Sequence, residues 1–144
     1  MISVRQLLDR KGRQVFSIAP GTAVLDAIRM MAERHVGALL VMEGETLSGI
    51  VSERDYARKV ILMGRSSADT PVRDIMTAAV ITVQPEMPVE KCMQIMTECR
   101  VRHLPVLEGG RVVGMISIGD LNAYQATEHE HTIHLLLEYI YGIS

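Results

Sequence analysis

The feature that most constrains this chain is an internal repeat. Residues 15–57 align with residues 80–122 without a gap when the sequence is shifted by 65 positions. Pro20 then falls on Pro85, and the segments GIVSERD and GMISIGD match at their Gly, Ser and Asp residues. Self-similarity at a fixed spacing indicates two copies of one supersecondary unit.

Each copy contains the same alternation of strand and helix patterns. A short apolar stretch at 16–18 or 81–83 comes first. Apolar residues then recur at the i, i+3, i+4, i+7 spacing of a buried helix face over 24–31 and 89–96. Two apolar runs follow, separated by EGET or EGGR, as is typical of a β-hairpin. With a second helix after each Ser, the pattern predicts two β-α-β-β-α units and a mixed α/β (α+β) fold.

Four further segments lie outside the aligned copies. VRQLL (4–8) and VRDIM (72–76) resemble each other and predict a lead-in helix before each copy. GRSSADT is a polar linker, and the tail predicts an extra amphipathic C-terminal helix ending at Gly142. The predicted division is a first domain with its lead-in helix over 1–64, a linker over 65–71, a second domain over 72–126 and a C-terminal helix over 127–144. Because about 45 residues cannot bury both faces of a sheet, we expect the copies to pack together with pseudo-two-fold symmetry.

Composition excludes several classes of function. The net charge is -2, and no basic run exceeds two residues, whereas nucleic-acid binders carry a clustered basic face. Aromatic residues make up only 3%, which also argues against base stacking. No apolar stretch approaches the roughly 20 residues that span a bilayer, and the N-terminus has no apolar signal core. The sequence therefore predicts a cytoplasmic protein with no nucleic-acid or membrane partner.

The chain shows no convincing set of catalytic or metal-binding residues. An enzyme would need a nucleophile, a base and an orienting group, or a metal cluster, and the sequence supplies neither pattern. His129, His131 and His134 lie close together, but a solvated helix surface is the favoured interpretation. We therefore predict a protein that is not an enzyme, with no catalytic cofactor and no metal.

The two cysteines are not expected to pair. Cys92 and Cys99 are seven residues apart in a helical pattern, a rise of about 10.5 Å. A disulfide tolerates a Cα separation of no more than about 7 Å. Both residues are expected to be small buried side chains.

The repeated Ser-x-x-Asp junction has two interpretations. Ser52 with Asp55, and Ser117 with Asp120, have the form of a capping box at the start of a helix, which needs no ligand. A strand-to-helix turn also offers free amides and a positive helix end to an oxyanion, and its carboxylate can accept ribose hydroxyls. The glycine of each junction would let a ligand approach the backbone closely. A cap and a ligand site can coexist, so both interpretations stay open.

The motifs of both copies resemble one known family. ITVQP and RVRHLPVLEGGRVVGMISIGDL, with FSIAP and GALLVMEGETLSGIVSERDY in the first copy, resemble a pair of cystathionine-β-synthase-type domains (CBS domains), a tandem called a Bateman module. The resemblance covers about residues 4–124. VSERDYARKV followed by GRSS resembles the stand-alone two-domain members, which carry no attached enzyme or channel.

The resemblance implies an adenine-nucleotide sensor that reports energy or redox state to a regulated protein, which the sequence does not identify. Family members bind AMP, ADP, ATP, NAD or S-adenosylmethionine between the two domains. Asp55 and Asp120 would each hold a ribose, and Arg102 and His103 would reach a phosphate. The nucleotide-binding positions implied are Ser17, Ile18, Ala38, Ser52, Arg54, Asp55, Thr82, Val83, Arg102, His103, Pro105, Ser117 and Asp120. The alternatives are a structural partner-binding module whose junctions act only as caps, and an S-adenosylmethionine sensor.

The resemblance also predicts unequal pockets and a homodimer. The pocket at Asp120 is expected to contain Arg102 and His103 and to favour AMP, unless the pairing of the two domains carries Arg102 across to the opposite cleft. The pocket at Asp55, with Arg54 and more room, is expected to accept NAD(H). Outer helices would join two chains through residues 28–31, residues 93–96 and the C-terminal LLLEYIY.

Overall fold

A computed structural model describes residues 2–142 of the chain. Its elements confirm the predicted mixed architecture with two repeats. In chain order they are α1 (Val4–Lys11), β1 (Ser17–Ile18), α2 (Val24–Arg34), β2 (Ala38–Glu43), β3 (Thr46–Ser52), α3 (Glu53–Tyr56) continued by a π-helical turn (Ala57–Ile61), a 3-10 turn (Val72–Asp74), α4 (Val89–Cys99), β4 (His103–Glu108), β5 (Arg111–Ser117) and α5 (Ile118–Tyr141).

The two repeats build unequal sheets. In the first repeat β1 pairs in parallel with β2, which pairs antiparallel with β3. In the second repeat β4 and β5 form the same hairpin, but the strand predicted at 81–83 is a single bridge between Val83 and Val106. The Leu40 N–H donates to the Phe16 carbonyl in the first repeat. Its counterpart Pro105 has no N–H to donate, so the second ladder is shorter.

The C-terminal helix continues the last helix of the second repeat. The two helices expected there form one 24-residue helix, α5, which ends at Gly142 with a φ of 65°. Within the described residues, no helix is long and apolar enough to cross a membrane.

Each lead-in segment packs on the opposite repeat. Val4, Leu7 and Leu8 of α1 belong to the core of the second repeat, and the Val4 N–H donates to the Met87 carbonyl at 2.8 Å. The segment after the linker matches this arrangement in the first repeat, where the Val72 N–H donates to the Thr22 carbonyl at 2.8 Å. The two repeats are therefore interlocked. The division of the chain into domains at 1–64 and 72–126 stays a prediction.

The junction glycines make room for these lead-in segments. A Cβ atom on Gly49 would lie 2.6 Å from Met76 Sδ, and one on Gly114 would lie 2.8 Å from Leu8 Cδ2. We expected a ligand to approach the backbone at these glycines. The structure places buried or half-buried side chains of the lead-in segments there instead.

Candidate functional site

Both Ser-x-x-Asp junctions form capping boxes. The Asp55 N–H donates to Ser52 Oγ at 3.2 Å, and the Ser52 N–H donates to Asp55 Oδ2 at 2.9 Å. The corresponding distances for Ser117 and Asp120 are 3.2 and 2.8 Å. The capping interpretation is confirmed, and it leaves further acceptor capacity on each carboxylate.

A lysine lies against each of these carboxylates. Lys59 Nζ is 3.1 Å from Asp55 Oδ1 and donates to the Ile75 carbonyl at 2.8 Å. At the other junction, Lys11 Nζ is 2.7 Å from Asp120 Oδ2 and donates to the Met115 carbonyl at 2.6 Å. Asp55 is paired within its own repeat, whereas Asp120 is paired with the lead-in helix α1.

A cleft of about 620 Å³ opens beside Asp55 and is shared by the two repeats. The first repeat contributes its capping box and the following helical turns, and the second contributes residues 99–103. The segment 77–81 supplies a largely apolar wall through Ala79, Val80 and Ile81. One cavity therefore offers both an apolar surface and polar groups to a ligand.

The charge lining this cleft is predominantly positive. Five Arg and Lys side chains face two acidic ones, Glu53 and Asp55. The cations come from both repeats: Arg54, Arg58 and Lys59 from the first, Arg100 and Arg102 from the second. Clustered cations in a concave site attract phosphate groups, and guanidinium groups can bind them in a bidentate manner.

The cleft brings together five of the predicted binding residues, Ser52, Arg54, Asp55, Arg102 and His103. The other positions lie outside its lining. Of these, Ile18, Ala38, Val83 and Pro105 are buried, Ser17 is exposed, and Thr82, Ser117 and Asp120 are half-buried.

Arg102 and His103 were expected in a pocket centred on Asp120, with a transfer of Arg102 to the opposite cleft as the alternative. The structure has the alternative for Arg102, while His103 lies near both junctions. Both residues line the cleft beside Asp55 because the two repeats pack with these positions facing each other. A Cβ atom on Gly37, the counterpart of Arg102, would lie 3.6 Å from His103 Nε2. Residues of the second repeat therefore line the cleft at the junction of the first.

The imidazole of His103 lies close to charges of both junctions. Burial lowers the pKa of His103, the Asp120 carboxylate opposes this shift, and Arg102 and Lys11 add to the lowering. The neutral form is therefore favoured in the folded protein.

Sequence reasoning missed most of the residues that line the cleft. Arg58 lies four residues after Arg54 and so on the same helix face, a signal that was available in the sequence. Arg100 ends α4 in the left-handed conformation, with a φ of 55°, which no simple pattern marks. Cys99 is exposed and lines the cleft, so the expectation of a buried side chain was wrong for it. Cys92 is buried as expected, and burial raises the pKa of its thiol to about 11.

A recess of about 390 Å³ adjoins the cleft. It shares Arg58 and Lys59 with the cleft, and Met63, Arg65 and Asp74 complete it. In the part of the chain that the structure describes, no group of three or more His, Cys, Asp or Glu side chains could hold a metal ion.

Both repeats match the model of a known protein family. The CBS domain model matches residues 4–61 and again residues 72–126. The chain therefore belongs to the CBS-domain family and carries a pair of these domains.

Individual proteins support this assignment. The chain is 46% identical over 124 residues to the CBS domain-containing protein CBSX3, mitochondrial, from Arabidopsis thaliana, covering 83% of this chain and 60% of that protein. The crystal structure of the CBS domain NE2398 superimposes with a TM-score of 0.84 and 46% identity, covering 87% of this chain and 98% of that one. The CBS domain protein PAE2072 from Pyrobaculum aerophilum, complexed with AMP, gives a TM-score of 0.75 and 27% identity over 83% of this chain and 90% of that one.

Proposed function

We propose that this protein is a regulatory module that binds an adenine nucleotide in the cleft beside Asp55 and reports energy or redox state to a partner protein. AMP is the first candidate ligand, and ADP, ATP and NAD(H) are the others. The role is non-catalytic. The cytoplasmic location and the homodimer stay predictions.

The observation that carries this proposal is the convergence of cations from both repeats around one carboxylate. Asp55 is fixed by its capping box, and its Oδ1 pairs with Lys59, whose side chain is 45% exposed to solvent. Ribose hydroxyls are good donors to such a carboxylate, while Arg54, Arg58 and Arg102 are available to a phosphate. The relative complexed with AMP adds support, since its fold superimposes on this chain.

The two alternatives fit the cleft less well. Helix capping explains Ser52 and Asp55, but it gives no reason for guanidinium groups of the second repeat to line the same cavity. S-adenosylmethionine would bring a sulfonium cation into a cleft that already has an excess of positive charge. A phosphate-bearing ligand is therefore favoured.

Thermal unfolding with and without AMP tests the proposal. A ligand at 100 times its Kd adds about 2.7 kcal/mol to the free energy of unfolding, so AMP should raise the melting temperature of the wild-type protein. Asp55→Asn keeps an acceptor for the Ser52 N–H but loses the charge, and it should abolish most of this rise. Asp69→Asn, at an exposed position outside the cleft, is the matched control and should respond like the wild type. If millimolar AMP, ADP, ATP and NADH all leave the melting temperature of the wild type unchanged, the junctions act only as helix caps and the proposal is wrong.

A further inference from the structure

The exposed large apolar side chains of residues 2–142 are confined to two segments. Ile61, Leu62 and Met63 form the first, and they are 58%, 76% and 70% exposed. The second is the C-terminal half of α5, where seven such side chains between Ile133 and Tyr141 are 42–90% exposed. A single exposed apolar residue is ordinary, but contiguous groups of them mark interaction surfaces.

A π-helical turn directs the first segment outward. The Leu62 N–H donates to the Ala57 carbonyl at 3.1 Å, and the Arg65 N–H donates to the Val60 carbonyl at 3.0 Å, each spanning five residues. Val60 is buried and anchors this turn on the core, while the three side chains that follow it lie in solvent. Such turns are often found at functional sites.

The two segments carry opposite charges. Residues 58–65 contain no Asp or Glu and three cations, which are Arg58, Lys59 and Arg65. Residues 128–141 contain three glutamates and no Lys or Arg. We call residues 58–65 the basic patch and residues 128–141 the acidic helix end.

The cations of the basic patch differ in their partners. Lys59 is paired with Asp55 at 3.1 Å, and Arg65 is paired with Asp74 at 3.3 Å. Arg58 has no ion pair within residues 2–142, and its guanidinium group is therefore available to a carboxylate from outside the chain.

The acidic helix end is apolar on nearly every side. Its described polar contact is the ion pair of His134 Nε2 with Glu138 Oε1 at 3.0 Å, on one strip of the helix. A helix that is hydrophobic all round is normally buried, so we expect another surface to cover it. Two acidic helix ends placed together would bring glutamates side by side with no cation between them. Complementary charge instead favours the basic patch as the surface that covers the helix end.

The two segments do not cover each other within one chain, because both are exposed. The second repeat offers no equivalent of the apolar patch, since Ala126, Thr127 and Glu128 are the counterparts of residues 61–63. Each chain therefore has one basic patch and one acidic helix end. A two-fold axis between two chains lets each helix end meet the patch of the other chain.

We propose that the acidic helix end of each chain docks on the basic patch of a second copy, so that two chains exchange these contacts reciprocally. The recess of about 390 Å³ beside the cleft is lined mainly by the basic patch, through Arg58, Lys59, Met63 and Arg65. It offers an apolar side chain and cations to the docked helix, as grooves that bind amphipathic helices do. The second copy thus covers the recess next to the cleft.

Sedimentation equilibrium of the full chain at micromolar concentration, without nucleotide, tests this docking. The wild type is expected to be a dimer. Leu62→Glu in the basic patch and Leu136→Glu in the acidic helix end should each be monomeric. An equimolar mixture of these two variants should form a heterodimer, because the intact helix end of one fits the intact patch of the other. Gln14→Glu makes the same charge change at an exposed position outside both segments, and this control should stay dimeric.

Each other outcome overturns the docking. If Leu62→Glu stays dimeric while Leu136→Glu is monomeric, the helix ends pair with each other. A monomeric wild type excludes a second copy as the occupant, dimers of both variants place the interface elsewhere, and a mixture that stays monomeric shows that the two segments do not meet. Met63→Glu and Ile140→Glu, 70% and 62% exposed in the wild type, decide the question in the same way if a first variant does not fold. Because no nucleotide is present, none of these results depends on the proposed function.

Discussion

At the residue scale, His103 lies near the charged groups of both junctions, and these groups affect its pKa. It begins β4 opposite Ser117, lines the cleft beside Asp55 and lies within the field of Asp120. Because burial lowers its pKa, protonation is easier in the unfolded chain than in the folded protein. The contribution of this residue to stability is therefore present above the usual histidine pKa of about 6.5 and is lost as the pH falls below it.

This argument predicts a pH-dependent stability that His103→Gln reduces. Between pH 7.5 and pH 5.5, the wild type should lose more free energy of unfolding than the variant, as measured by urea denaturation. The other histidines are present in both proteins and cancel in the comparison. The same loss in both proteins would mean that His103 titrates alike in the folded and unfolded chain.

At the element scale, the two long repeat helices end in the same unusual way. His35 ends α2 and Arg100 ends α4, and each has a φ of 55°, in the left-handed region that favours glycine. A side chain in that conformation costs about 1–2 kcal/mol. The same backbone feature therefore occurs twice, but only the Arg100 side chain lines the cleft.

Glycine at these two positions separates backbone strain from ligand binding. His35→Gly and Arg100→Gly should each raise the free energy of unfolding by about 1 kcal/mol, because glycine is the residue that most readily ends a helix in this conformation. Only Arg100→Gly should also weaken AMP binding, because only it removes a cation from the cleft. Urea denaturation and calorimetric titration give the two readings. Equal losses of AMP affinity would attribute the effect to the helix ends and not to the charge.

The helices and strands could largely be predicted from the sequence, while the packing of the two repeats against each other could not. The repeat and the apolar spacing located α2, α4 and both hairpins, and Ser-x-x-Asp located both caps. The prediction of a strand at 81–83 was wrong, because Pro105 has no N–H to donate and the ladder is therefore shorter. The sequence left open which junction Arg102 would face, because which repeat faces which cleft depends on packing between residues far apart in the chain.

At the scale of the whole molecule, the exchanged lead-in segments make one cooperative body from two repeats. Leu8 of α1 is 1% exposed and lies directly over Gly114 in the second repeat. The C-terminal half of α5 presents exposed apolar side chains, including Leu136 and Ile140, and the homodimer through this helix stays a prediction. Interlocked cores should unfold together and not one after the other.

Gly114→Ala tests how far the fold depends on this interlock. The added methyl group would come within 2.9 Å of both Leu8 methyl carbons, so we expect a loss of about 1–3 kcal/mol in the free energy of unfolding. Gly119→Ala is the control. Its nearest neighbour would be 3.5 Å away, and it should be neutral or stabilising. Urea denaturation should show a single transition in each protein. Equal stability of the two variants would contradict the close packing of α1 on the second repeat.

The most direct test of a nucleotide site built from both repeats is a calorimetric titration with AMP. The proteins to compare are the wild type, Asp55→Asn, Arg102→Ala and the double variant, with Arg111→Ala as an exposed control. A charge-assisted hydrogen bond is worth about 1.5–3 kcal/mol, so each single substitution in the cleft should weaken AMP binding about 10- to 150-fold. The control should bind like the wild type. If Asp55→Asn weakens binding while Arg102→Ala has no effect, the two repeats do not share the ligand, and a nucleotide site built from both of them is contradicted.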